Sequence, residues 1–235
     1  PAIHCNPIGL IPKGSSGKWR LIVDLSSPQG YSVNDGISSD LCSLEYVTVD
    51  MIADVVLGFG AGAVVLSKVD IRSAYRLVPV HPEDRWLLGM RWGGQVFVDT
   101  VLPFGLRSAP KLFTALADAV EWIAKFRGLK LVYHYLDDFL LISPVTAGAA
   151  QLEGLLVVFE ELGLPLAIEK LEGPGYCMCH LSGYRGGYGA AGVAFASEKD
   201  WGIVGVGGGM ARAEIMSEER VAIFGGEVAA CLQGG

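Results

Sequence analysis

Long apolar runs are missing from this sequence: no stretch approaches the roughly 18–20 apolar residues that a membrane-spanning helix needs, so no membrane partner is expected. A starting Met and a signal-peptide pattern are also absent from the opening "PAIHCNPIGL". The chain therefore reads as an internal piece of a longer protein, expected in the cytoplasm or nucleus. Cysteine is scarce and odd in number, five in 235 residues, which suits a reducing compartment better than a disulfide framework. "CMCH" (Cys177, Cys179, His180) lacks the second ligand pair that a zinc site needs, so no metal is expected there. Positive charge is short in one half only. Residues 131–235 carry five Lys and Arg against 13 Asp and Glu, whereas residues 1–130 carry 13 against 12. The overall charge of −7 argues against a generic nucleic-acid binder, but it is unevenly spread, and any phosphate-binding surface is expected in the first half.

What is present is apolar enough to fold. Apolar residues make up 51% and mean hydropathy is +0.41, sufficient for one large domain or two small ones. Residues 8–25, "IGLIPKGSSGKWRLIVDL", predict a hairpin, since two apolar segments flank a Gly/Ser turn. A helix is predicted over 48–59, capped by Thr48, and a β-branched strand over 63–71, ending in Asp70. Alternation predicts a further strand over 95–102. A helix over 108–126 is expected to bury Leu112, Leu116, Val120 and Ile123. A second, over 147–163, is expected to bury Leu152, Leu155, Leu156, Phe159 and Leu162. Strands and helices intermix without a regular βαβ repeat, which predicts an α+β fold. Half of the 32 glycines fall in the last 63 residues, where periodicity blurs and a poorly structured or degenerate tail is expected. The glycines of "VGVGGGMAR" there lack dinucleotide-binding spacing.

"LVYHYLDDFLLI" (131–142) sets two adjacent aspartates in an apolar hairpin. Asp favours turns, so a plain turn is one reading. The other starts from the cost of burying ionised carboxylates without a partner. Asp70 ends a second apolar strand. If the two strands are neighbours, three carboxylates converge, tolerable where divalent cations neutralise them. Two Mg²⁺ ions bridged by carboxylates form the arrangement used for in-line phosphoryl transfer. The basic stretch "KGSSGKWR" offers Lys13, Lys18 and Arg20 to a triphosphate, or is simply a solvated turn.

Together "SKVDIRSAYR", "LPFGLRSAP" and "YLDDF" resemble the palm motifs of reverse transcriptases, in the family's order, and "GKWRLIVDL" resembles the preceding fingers segment. The resemblance covers residues 7 to about 174. "SVNDGI", "LVPVHPED", "HYLDDF" and "LEGP" are similar to DIRS-like retroelements, which encode a tyrosine recombinase, although long-terminal-repeat elements share several of these strings.

The resemblance implies a right-hand polymerase, with an antiparallel palm sheet packed on helices. Its fingers would be 1–62, its palm 63–174 with an interposed fingers segment, and 175–235 a primer-grip remnant with an absent or degenerate thumb. It implies two Mg²⁺ ions, or Mn²⁺ in their place, an RNA or DNA template with its primer, and a dNTP. Asp70, Asp137 and Asp138 would be catalytic and would bind the metals, with the Ile71 carbonyl as a further ligand. Lys13 and Arg20 would hold the triphosphate, Tyr75 would reject a ribose 2′-OH, and Phe104 and Gly105 would floor the nucleotide pocket. Lys170 falls near a lysine proposed as general acid for pyrophosphate. Tyr135 and the "LSGY" residues Gly183 and Tyr184 would contact primer or template.

One departure is the acidic, glycine-rich tail, where only "MSEERVAIFGGEVAACLQ" hints at a thumb-like helix. A decayed, inactive retroelement remnant and a carboxylate-dependent nuclease are the competing readings.

Overall fold

The structure is a computed structural model. It describes residues 2–12, 17, 19–60, 62–175, 179–181, 184–189, 192–197, 201–205, 211–212 and 223–224, with only the backbone described for Arg20, Val49 and residues from 179 on. In chain order the elements are β1 (Cys5–Asn6), β2 (Ile8–Pro12), β3 (Trp19–Val23), α1 (Val49–Phe59), β4 (Val64–Asp70), β5 (Gly89–Trp92), β6 (Gln95–Val98), α2 (Ala109–Phe126), β7 (Val132–Tyr135), β8 (Asp138–Pro144), α3 (Gly148–Glu161) and β9 (Glu172–Gly175). After them come β10 (Cys179–Leu181), β11 (Tyr184–Gly189), β12 (Gly192–Ser197), β13 (Trp201–Gly205), β14 (Ala211–Arg212) and β15 (Ile223–Phe224). No described helix is long and apolar enough to cross a membrane.

The chain divides into two compact units, one of residues 1–45 and 73–116, the other of 46–72 and 117–235. The second is organised by a four-stranded sheet of order β7-β8-β4-β9. Its centre is the antiparallel β4–β8 ladder, seven rungs running from Val64↔Pro144 to Asp70↔Asp138. Side chains alternate between the faces of a strand. Val64, Leu66, Leu140 and Ile142 lie on one face and pack with Ile52, Ala53 and Val56 of α1. On the other, Phe139 meets Phe159 of α3 edge to face, with ring centres 5.0 Å apart. Helix α1 starts where expected, because the Thr48 side chain accepts the Met51 N–H at 3.2 Å. β9 pairs with β4 at Leu66↔Gly175 and Lys68↔Glu172, an approach that Gly173 between them permits. Its φ is +89°, and a Cβ there would stand 2.3 Å from the Leu66 carbonyl oxygen.

In the first unit β2 and β3 form the expected hairpin, from Ile8↔Val23 to Pro12↔Trp19. β1 pairs in parallel with β5, and β5 antiparallel with β6. Val23, Leu25 and Leu88 form this unit's buried cluster.

Four expectations need correction. The strand over 95–102 ends at Val98, and Val101 makes only an isolated bridge to Pro79. In α2 the buried line is Phe113, Ala117, Val120 and Ala124, while Leu112 is 48% exposed. Val120 is on the buried line as expected, but the other three positions sit one residue later than read, because alanines as well as large residues form that line. In α3, Leu162 is exposed and Val158 buried, since the helix stops at Glu161. In the tail, β10 to β13 form a four-stranded antiparallel sheet. Within the segment expected to hint at a helix, Ile223–Phe224 pairs as a strand with Ala211–Arg212, and the remaining residues of 216–233 lie outside the described ones.

Asn34 ties two loops of the first unit together. Its buried amide donates to the Gly105 carbonyl at 2.8 Å and to Ser26 Oγ at 2.9 Å, and accepts the Arg107 N–H at 2.8 Å. Replacing it with Ala strands these partners, and a buried polar group left unpaired costs about 1–3 kcal/mol. Chemical denaturation should show Asn34→Ala less stable by that order. An unchanged midpoint would remove the tie from the account.

Candidate active site

The hairpin that carries the two aspartates has a two-residue loop. Tyr135 pairs with Asp138, which leaves Leu136 and Asp137 at the tip. Such loops need positive φ, normally supplied by Gly, Asn or Asp. Here Leu136 takes it, at φ 53°, a strain of about 1–3 kcal/mol that only the surrounding packing can maintain. The result puts Asp138 on the first rung of β8 and Asp137 beside it in the turn.

Asp138 lies directly opposite Asp70, and the two side chains are within hydrogen-bonding reach. Asp70 is 5% exposed and Asp138 2%. Backbone contacts fix the neighbourhood. The Ile71 N–H donates to the Asp137 carbonyl at 2.9 Å, and the Ala167 N–H to the Asp70 carbonyl at 2.9 Å. Burial pushes the Asp70 carboxyl above its ordinary range; Lys170 opposes that rise and Asp138 adds to it. Asp137 is also raised, chiefly by burial, with the charges of Asp138 and Asp70 contributing.

Two lysines answer the negative charge. Lys170 Nζ donates to Asp70 Oδ2 at 2.8 Å from a side chain 53% exposed. That bond holds its ammonium above the usual lysine range. Lys68 Nζ lies 3.0 Å from Asp138 Oδ1, and here the lysine side chain is only 8% exposed. Arg72 and Glu169 pair at 2.9 Å on the surface next to these segments in the chain.

The donor set is three hard carboxylates, the chemistry that suits Mg²⁺. As the side chains stand, no group of three among the described His, Cys, Asp and Glu residues is arranged to hold an ion. Ammonium groups instead occupy one oxygen of Asp70 and one of Asp138. The residues fit a divalent cation in kind, and Lys170, being exposed, can withdraw from Asp70.

The other expected site residues fall in three groups. Tyr135 belongs with the carboxylates, its ring 4.7 Å from that of Tyr46. Tyr75, Phe104 and Gly105 belong to the first unit. There the Tyr75 ring is 5.4 Å from Phe104 and 5.7 Å from Phe113. Gly105 has φ +93°, and a Cβ on it would meet the Val23 carbonyl oxygen at 3.1 Å, so a glycine lets this loop pass close to the β3 backbone. Phe104 also lines a groove of about 1010 Å³ with Leu10, Leu21, Trp92 and Phe97, where Arg76 pairs with Asp99 at 2.7 Å. Lys13 and Gly183 lie outside the described residues, as does Cys177. Of Arg20 and Tyr184 only the backbone is described, in β3 and β11. Sequence reasoning missed Lys68 and Asn34. The signal for Lys68 was present, a lysine two residues before Asp70 and therefore on the same strand face.

The profile of the family described as "Reverse transcriptase (RNA-dependent DNA polymerase)" matches residues 11–174. The Transposon Tf2-3 polyprotein of Schizosaccharomyces pombe is 28% identical over 142 residues, 60% of this chain and 10% of that polyprotein. The Pro-Pol polyprotein of feline foamy virus is 25% identical over 175 residues, 70% of this chain and 13% of its own. The chain thus spans about a tenth of these relatives. The fold is similar to that of prototype foamy virus protease-reverse transcriptase, with a TM-score of 0.59 at 23% identity over 75% of this chain and 22% of that one. A foamy viral protease-reverse transcriptase solved in complex with RNA/DNA hybrid gives a TM-score of 0.57 at 22% identity, over 78% and 22% of the two chains. The chain belongs to the reverse transcriptase (RNA-dependent DNA polymerase) family.

Proposed function

We propose that this chain is the fingers–palm part of an RNA-directed DNA polymerase, adding a dNTP to a primer 3′-OH on an RNA or DNA template. The observation that carries this reading is the Asp70↔Asp138 rung with Asp137 beside it, within a segment matching the reverse transcriptase profile. Two Mg²⁺ ions, or Mn²⁺ in their place, would when bound activate the primer hydroxyl and neutralise the departing pyrophosphate. Asp70 and Asp137 are the principal ligands in this reading, Asp138 completes the cluster, and the Ile71 carbonyl adds an oxygen. Lys170, freed from Asp70, gives charge or a proton to pyrophosphate in this reading. Lys13 and Arg20 hold the triphosphate. Tyr75, braced by Phe104 and Phe113, excludes a 2′-oxygen by shape, and Phe104 and Gly105 shape the floor of its pocket. Gly183, Tyr184 and Tyr135 contact primer or template. Most of the catalysis is positioning and charge neutralisation.

The proposed domain division sets 1–62 as fingers, 63–174 as palm with an interposed fingers segment, and 175–235 as primer grip with a degenerate thumb. The DIRS-like assignment rests on "SVNDGI", "LVPVHPED", "HYLDDF" and "LEGP". A catalytically inactive remnant is the second reading, favoured by the five Lys and Arg among residues 131–235, few for gripping a duplex. Primer extension on poly-rA, beside a chain whose tail is replaced by a basic thumb, separates the two. Activity in the second chain alone would locate the defect in the tail.

Three outcomes follow. Asp137→Asn should fold yet lose primer extension on the order of 10²–10³-fold or more; parental extension would refute the metal role. The same variant tests the raised Asp137 carboxyl. A group whose folded value is raised contributes stability below its unfolded value of 3.8 and loses it as pH rises through the folded value. Without cations, parent and Asp137→Asn should therefore unfold alike below that range, and the variant should be the more stable above it. Thermal scans against pH would contradict this if the parent gained on the variant as pH rose. Tyr75→Val should shrink the preference for dNTP over rNTP on the order of 10–200-fold, the range of a shape contact. Competing incorporation assays measure it, and an unaltered preference removes Tyr75 as the gate.

A further inference from the structure

Lys68 stands where a lysine is least expected. It sits inside β4, on the face that Leu66, Leu140 and Ile142 give to the core. Its side chain is 8% exposed, and that of its partner Asp138 3%. Across the ladders Lys68 opposes Leu140 on one side and Glu172 on the other. Its ammonium runs diagonally to Asp138, a reach that neighbouring strands allow a long side chain. A buried lysine persists only with a paired charge, and removing one partner leaves the other uncompensated. The second lysine differs in kind. Lys170 is 53% exposed and can turn into water, whereas Lys68 has no such exit.

We infer that Lys68 is the positioning residue of the acidic cluster: by gripping Asp138 Oδ1 it fixes that carboxylate beside Asp70 and sets how strongly the cluster draws a divalent cation. The inference rests on the two-cation reading above and deepens it. With Lys68 in place, Asp138 has a counter-charge before any cation arrives. The demand for external positive charge then falls on Asp137 and, once Lys170 withdraws, on Asp70. A purely structural ion pair would stabilise the sheet and leave cation affinity untouched.

Manganese binding to the full chain decides between these. MnCl₂ is titrated, free Mn²⁺ is read by electron paramagnetic resonance, and the thermal midpoint is followed with and without the ion. Lys68→Met removes a unit positive charge next to the cluster, so Mn²⁺ should bind about tenfold more tightly than to the parent, with a larger cation-induced rise in midpoint. Asp138→Asn leaves Lys68 unopposed and should bind more weakly. The double variant Lys68→Met with Asp138→Asn should return towards the parent. Equal affinity in the parent and Lys68→Met overturns the inference. So does a double variant as weak as Asp138→Asn, which would leave Lys68 without influence on the cluster. If Lys68→Met does not fold, Asp138→Asn is compared with the double variant, which leaves neither partner of the pair unmatched; tenfold tighter binding in the double is expected, and equality overturns the role of Lys68. Absence of Mn²⁺ binding in the parent overturns the two-cation reading together with this one.

Discussion

Two carboxylates facing each other across one rung of a buried ladder are the constraint on which the second unit is built. Like charges in a low-dielectric setting repel strongly, and burial raises Asp70 further. The arrangement survives because positive charge arrives from two directions, Lys68 along the face of the sheet and Lys170 from a turn at its edge. The rung itself depends on register. A slip of one residue would send Asp138 to the α3 face and Phe139 to the α1 face. Seven consecutive β4–β8 pairs, with packing on both faces, make such a slip costly. The apolar residues around "YLDDF" are thus what keeps the carboxylates opposed.

The first unit solves a different problem, that of shape. Tyr75, Phe104 and Phe113 form a chain of ring contacts, and the loop bearing Phe104 is held where Gly105 passes close to the β3 backbone. Asn34 reinforces that approach from a loop far away in sequence. Here aromatic contact and hydrogen bonding replace charge pairing.

Much of this was legible in the sequence, for reasons that differ by residue. The β2–β3 hairpin, the Thr48 cap and the acidic hairpin are local signals, since each depends on residues within a few positions. That Asp70 joins the doublet is not local. It could be argued only from the cost of burying carboxylates and from resemblance to a family. The phase of α2 was misread because large apolar residues were weighted over alanines, although Ala117 and Ala124 are fully buried. Lys68 was overlooked because a lysine in a strand reads as an edge or surface residue until its diagonal neighbour is known. Asn34 was read as part of a family string, and two of its partners, Gly105 and Arg107, lie more than 70 positions away. In both cases the missing information was the pairing of distant segments.

The two lysines differ in what each would do without its partner. Equal charges at similar distances from two neighbouring carboxylates do not make equivalent interactions, because their alternatives differ. For Lys170 the alternative is water, and the cost of its release falls on Asp70, whose buried carboxylate loses a counter-charge. For Lys68 the alternative is a buried, unpaired ammonium, so its hold on Asp138 persists through whatever the rest of the cluster undergoes. In the two-cation reading proposed above, both kinds of partner have a use: an exchangeable counter-charge lets the ligands open, and a permanent one keeps the strand from coming apart while they do. The exposures of 53% and 8% assign the two parts, and the sequence encodes the difference by putting one lysine in a turn and the other two residues before the strand's terminal aspartate.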